Sequence, residues 1–253
     1  MGKLKNIRLY NVLMGFFHLI QGILIMFLSN DFSLPVNTNY LTFNETTYTL
    51  DPILEKFFDL RVGYVVAIFL FLSSLAHFVI SLPKVYDWYV KNLKKGINYA
   101  RWIEYSFSSS LMIVIISMLV GIYDFSTLIL IFGVNAMMIL FGLMMELHNQ
   151  TTRKTNWLSY IFGCIAGILP WIVISLYLIN SGEGDNKAPT FVYWIFFSIF
   201  LFFNSFAVNM FLQYKKIGKW KDYIWGEKVY ILLSLLAKSA LAWQVFAGTL
   251  RPV

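Results

Sequence analysis

The chain has 253 residues, of which 58% are hydrophobic and 13% charged, with a formal net charge of +7. That charged fraction is about half of what an ordinary soluble domain carries, too little to cover a water-facing surface. A soluble globule is thereby excluded, and the length suits one compact unit, 1–253, rather than two domains.

The first apolar stretch, 10–29, is longer than the core of a secretory signal and lacks an A-x-A-like site, so it reads as a first span. The connection from Asn30 to Glu55 follows, with Thr, Tyr and Phe in loose alternation, the pattern of a short β-hairpin over 30–55. Within it Asn44-Glu45-Thr46 matches a glycosylation sequon, relevant only on a eukaryotic secretory route. Further spans are predicted at 62–82, 100–122, 125–147, 157–179, 191–213 and 229–250. Polar or turn-rich breaks separate them at Pro83–Tyr99, Tyr123–Asp124, His148–Thr155, Asn180–Pro189 and Tyr214–Lys228. The fold class is all-α, a bundle of seven transmembrane helices. The lone Cys164 excludes an internal disulfide and a cysteine-based metal site, and it reads as a small packing residue. No metal site is predicted.

Charge sets the orientation. Fifteen of the 20 lysines and arginines fall on the side of the N-terminus and of the Pro83–Tyr99, His148–Thr155 and Tyr214–Lys228 breaks. Four (Lys56, Arg61, Lys187 and Arg251) fall on the other. The excess of cations marks the cytoplasmic side, so the N-terminus lies inside and the C-terminus outside. Because the basic residues sit in short loops between spans, they are a topology signal with possible contact to the lipid bilayer surface, and no nucleic-acid partner is implied.

One cation is left over. Lys238 lies about ten residues into the last span, roughly 15 Å deep at ~1.5 Å per residue, near the bilayer midplane. A charge there costs at least ~2.5–3.5 kcal/mol and is a functional-site hypothesis by default. Of the 13 acids, 11 read as loop or flank residues and Glu146 as the cytoplasmic end of the fourth span, which leaves Glu104 in the third. No second buried carboxylate is expected. Lys238 and Glu104 enter from the same side and suggest a pair. Such a pair can be a structural salt bridge, which is weak evidence for stability. It can also serve chemistry that needs an amine, a desolvated lysine condensing with a carbonyl to a Schiff base with Glu104 as counterion. Ser234 lies four residues before Lys238, and Ser108 four after Glu104, each on its partner's helical face. The later spans are dense in large groups that suit a long apolar ligand.

These residues resemble a known family, the heliorhodopsins. The resemblance rests on Arg101-Trp-Ile-Glu-Tyr-Ser-Phe-Ser-Ser-Ser110, Ile131-Phe-Gly-Val-Asn-Ala136, Phe162-Gly-Cys-Ile-Ala-Gly-Ile-Leu-Pro-Trp171, Phe202-Phe-Asn-Ser-Phe206 and Leu235-Leu-Ala-Lys-Ser-Ala-Leu-Ala-Trp-Gln244. It implies all-trans retinal on Lys238 as a protonated Schiff base, Glu104 as sole counterion, and Ser234 and Ser108 in the Schiff-base environment. It further implies a pocket that includes Asn135, Met138, Trp171, Phe206 and Trp243, and a polar cavity with His18, Gln21 and His77. For the last three, plain interhelical hydrogen bonding is an equal reading. A homodimer is implied too, with Gly163-x-x-x-Gly167 as a small-residue face. The function so implied is a light sensor of slow photocycle with a cytoplasmic signalling partner, neither enzyme nor ion pump. A light-gated proton channel is the alternative. From Ser110 to Ser117 the third span offers only apolar side chains, which argues against a proton relay. Hydrolase motifs are absent, and a hormone-type receptor would place its N-terminus outside.

Overall fold

A computed structural model describes residues 2–182 and 187–252; residues 183–186, inside the Asn180–Pro189 break, lie outside the described residues. In chain order the elements are α1 (Gly2–Leu28), β1 (Ser33–Asn44), β2 (Thr49–Arg61), α2 (Val62–Ser81), α3 (Pro83–Leu93), α4 (Tyr99–Leu119), α5 (Phe125–His148), α6 (Leu158–Ile179), α7 (Thr190–Tyr214) and α8 (Tyr223–Val245). A 3₁₀ turn (Gly218–Lys221) precedes α8, and a π-helical turn (Phe246–Leu250) ends it. Among the described residues seven helices, all but α3, are long and apolar enough to cross a membrane.

Local chemistry explains the boundaries. Pro83 holds the preceding Leu82 extended (φ −65°, ψ 142°), so α2 stops and α3 starts with one residue between them. Asn98 caps α4 by accepting from the Arg101 amide at 3.0 Å, and Asp124 caps α5 by accepting from the Thr127 amide at 2.7 Å. Asp222 caps α8 in the same way, from the Ile224 amide at 3.0 Å. That cap corrects one expected boundary. The last helix begins at Tyr223 rather than 229, so Glu227 belongs to a helix and not to a loop. The break at Pro83–Tyr99 likewise contains a helix, α3, whose Tyr89 and Leu93 are buried. Positive φ at Gly96 (76°) and Gly121 (97°) lets the chain turn after α3 and after α4.

The β1–β2 pair is antiparallel and reaches past Glu55 to Arg61, with a bulge between Val36 and Asn37. Leu34 and Val36 insert into the main core, and the Asn37 amide donates to the Tyr123 carbonyl at 2.8 Å, which ties the hairpin base to the α4–α5 turn. That core joins the hairpin base to apolar faces of all seven long helices, with Met112, Ile113, Ile115 and Ile116 of α4 among its buried members. A smaller cluster packs α3 onto α1 and α8 through Ile7, Met14, Tyr89, Leu93 and Ile231. The outward faces keep large apolar side chains exposed, as lipid-facing helices require.

Candidate functional site

The pair expected from the sequence forms. Lys238 of α8 places its Nζ 3.2 Å from Glu104 Oε1 of α4 and donates to Ser234 Oγ, one turn back on its own helix, at 2.8 Å. Lys238 is 3% exposed. Its ammonium also lies 4.9 Å from the centre of the Tyr105 ring. The hydroxyl that serves Glu104 is one the sequence reading passed over: Ser73 of α2 donates to Glu104 Oε1 at 2.6 Å. Ser108 does not take this role. It is fully buried, and its hydroxyl has no hydrogen-bond partner among the described residues. Spacing of four placed Ser108 on the right helix, but α2 presents a closer hydroxyl from across the interface.

Beside Lys238 lies a cavity of about 180 Å³, many times the ~10–15 Å³ that one water needs. Lys238 is the only charged side chain among the described residues that line it. Met138, Trp171 and Phe206 contribute walls, as expected, together with Phe200, Phe203 and Tyr160. Trp171 meets Phe196, Phe200 and Phe203 edge-on at 5.2–5.5 Å, so each ring fixes the next. Asn135 is not a lining residue. It donates to Ser109 and Ser110 at 2.9 and 3.0 Å and supports the wall through Ser109. Trp243 is absent from the lining as well. It points toward α1, where its indole donates to Gln21 at 3.0 Å. Gly163 and Gly167 face the same cavity and pack against α5, with Met138 and Phe141 as neighbours. Within the chain this glycine pair serves the α5–α6 contact.

A sequence profile of the heliorhodopsins matches residues 7–250. The chain belongs to the heliorhodopsin family. Membership supports a retinal photoreceptor embedded in a membrane as a multi-pass protein, a class of light receptors rather than enzymes. Among solved structures, a light-driven proton pump from Leptosphaeria maculans is similar, with a TM-score of 0.64 at 15% identity over 95% of this chain and 94% of that one. That likeness shows the seven-helix fold alone. None of the curated protein sequences compared with the chain is significantly similar.

The residues of this heliorhodopsin fit retinal. The cavity is apolar, large relative to water, and carries a single amine, the group that an aldehyde requires. Its glycines keep it open: a Cβ on Gly167 would lie 2.5 Å from Met138 Sδ, and one on Gly142 would run into the Trp102 ring.

On the other side of the ion pair lies a smaller cavity of about 30 Å³, enough for one or two waters. Asn11, Ser73, His77, Tyr89, Arg101 and Glu104 are among its lining residues. His77 Nδ1 and Asn11 Oδ1 are 2.8 Å apart, and the His18 ring stacks on His77 at 5.7 Å. Neither nitrogen of the fully buried His18 has a hydrogen-bond partner among the described residues. Gln21 stays apart, partly exposed and bonded to Phe17 and Trp243.

At the far edge of this cavity lie three charges that the sequence places at span boundaries. Arg101 counted as a loop cation, Glu227 as a flank and Glu146 as a helix end, yet all three are buried together. Arg101 bonds Glu146 at 2.5 Å and also bonds Glu227. Trp102, Tyr223 and the Asn98 amide donate to Glu146 at 2.7, 3.0 and 2.9 Å, and the Asn98 side chain donates to Glu227 at 2.6 Å. The Arg101 guanidinium further lies 3.9 Å from the Tyr230 ring centre and 4.3 Å from that of Trp102. A helix-end position reads as exposed in sequence. Here α3, α7 and the start of α8 close over it.

Proposed function

We propose that this heliorhodopsin is a light sensor that holds all-trans retinal covalently through Lys238 Nζ, with Glu104 as its counter-charge, and that it moves no ions. The observation that carries the reading is the single amine facing an apolar cavity, with one carboxylate in contact behind it. Retinal so held supplies light absorption and a change of shape on isomerisation. The protein does the rest. Ser234 fixes the Lys238 amine from its own helix, and Ser73 orients Glu104 from α2. The rings of Trp171, Phe203 and Phe206 confine the chain of the ligand and exclude water.

The buried Arg101, Glu146 and Glu227 do not supply a relay across the membrane. All three sit at the end where α4 and α8 begin, the same side of Lys238 as Glu104, and the carboxylates are engaged by Arg101, Asn98, Trp102 and Tyr223. Toward the opposite end α4 buries Met112, Ile113, Ile115, Ile116 and Met118, with Ser117 bonded to its own helix. A relay across the membrane needs ionisable groups on both sides. The excess of lysine and arginine supports an N-terminus inside and a C-terminus outside a cell membrane, with the hairpin external. A slow photocycle, a cytoplasmic signalling partner and a homodimer rest on the family resemblance.

The test is a visible absorption spectrum of protein expressed with all-trans retinal. The parent gives a visible band and Lys238→Ala gives none. A band that survives in Lys238→Ala overturns the attachment site. Steady photocurrents in a voltage-clamped cell would replace the sensor with the channel reading.

A further inference from the structure

We infer that α3 is a headgroup site for anionic phospholipid, built from Lys84, Trp88, Lys91 and Lys95. The inference rests on the membrane-spanning reading of the seven helices and not on retinal.

The position of α3 comes first. One residue, Leu82, separates it from the end of α2, and Asn98, which caps α4, closes the five-residue connection after it. Both ends are therefore tied to the ends of spans. At ~1.5 Å per residue its 11 residues reach about 16 Å, so α3 runs along the membrane boundary and cannot stand far from it.

Its two faces differ. Tyr86, Tyr89 and Leu93 pack inward onto α1 and α8, and Arg8 lies over the Tyr86 ring at 5.2 Å. Lys84, Trp88 and Lys91, at spacings of four and three, share the exposed face, and Lys95 follows one turn later. Trp88 is 45% exposed. Its ring sits 6.1 Å from that of Tyr99. Tyr99 begins a stripe on α4 that continues through Ile103 and Phe107, both exposed on the flank of the bundle where lipid chains would lie. Trp88 thus extends a lipid-facing stripe to headgroup level, the place where indoles concentrate in membranes.

Charge completes the site. Between Leu82 and Asn98 the chain carries four lysines (Lys84, Lys91, Lys94, Lys95) against one acid, Asp87. A lysine near an anionic surface contributes about a fivefold gain in binding. The other lysine-rich connection is differently disposed. There Lys215 lies over Trp157 at 5.5 Å, and Lys219 over Trp225 at 4.8 Å, so these cations already rest on the protein's own rings. They serve as the control.

The experiment uses the full chain in phosphatidylcholine vesicles carrying trace spin-labelled phosphatidylglycerol or spin-labelled phosphatidylcholine. The motion-restricted fraction of each lipid is read by electron paramagnetic resonance. Both leaflets have the same composition, so the readout is independent of orientation and of light. The parent is expected to prefer phosphatidylglycerol, and K84Q/K91Q/K95Q to lose that preference. K215Q/K216Q/K219Q, with the same charge removed, is expected to keep it. K91Q alone, at an exposed position, covers the case in which the triple variant does not fold. The inference is overturned if the parent shows no preference, if the α3 variants keep it, or if the control loses as much. Failure of the retinal reading would show separately, as a missing visible band.

Discussion

Ser73 donates to Glu104 at 2.6 Å, a closer contact than the 3.2 Å from Lys238 to the same oxygen. A hydrogen bond to a charged group contributes about 1.5–3 kcal/mol. Ser73→Ala is therefore expected to shift the absorption maximum and to lower stability toward denaturing detergent by about that amount. A variant that matches its parent in both would assign Glu104 to Lys238 alone. Arg101 is the harsher case. It faces two buried carboxylates, and removing one partner of a buried ionic group costs about 3–5 kcal/mol because the remaining charge is left uncompensated. Arg101→Met is expected to destabilise by that much, and adding Glu146→Gln and Glu227→Gln is expected to recover most of it. Detergent unfolding of the single and triple variants measures both steps.

At the scale of elements, α5 meets α4 and α6 through glycines. A Cβ on Gly142 collides with the Trp102 ring, whose indole is held by Glu146 and cannot simply swing away. Overpacking of this kind costs about 1–3 kcal/mol. Gly142→Ala is expected to lower thermal stability accordingly and to slow retinal uptake, since Trp102 and Gly142 both line the cavity. The hairpin makes a prediction about pH. The Asp51 carboxyl is held below its ordinary 3.8 by the bond from Asn44 and then that from Thr49, at the tip of β1–β2. A carboxyl lowered in this way contributes stability that is present above pH 3.8 and is lost as pH falls through the lower folded value. Proteolysis at the Glu45–Tyr48 turn is expected to quicken only below that point, and Asn44→Ala, which leaves the bond from Thr49, is expected to weaken the dependence. Cleavage rates that ignore pH in the parent would sink this account.

For the molecule as a whole, the decisive geometry is the placing of one ion pair between two unlike cavities. Lys238 faces the larger one and Glu104 the smaller one, beside Asn11, His77 and Arg101, while Tyr105 lines both. Movement in the larger cavity is therefore expected to change the electrostatics around the smaller one, where His77, Asn11 and Arg101 lie. With no ionisable group on α4 toward its C-terminal end, light is expected to rearrange protons on one side only. A pH electrode in a suspension of illuminated cells should record no net proton movement. A sustained, protonophore-sensitive change would assign transport instead.

The sequence alone determined the seven spans and the pairing of Lys238 with Glu104. Long apolar runs and a deeply placed charge are costly enough in lipid to be read without coordinates. Recognition of the family also came from linear motifs. What required tertiary structure was everything decided by a neighbour on another helix. Ser73 displaced Ser108, because a hydroxyl across an interface can be nearer than one on the same face. Trp243 turned to Gln21, since an aromatic in a span carries no sign of which side it faces. Gly163 and Gly167 turned inward for the same reason. Arg101, Glu146 and Glu227 looked like boundary charges because a helix end is ordinarily wet, and only the packing of α3, α7 and α8 over them took the water away.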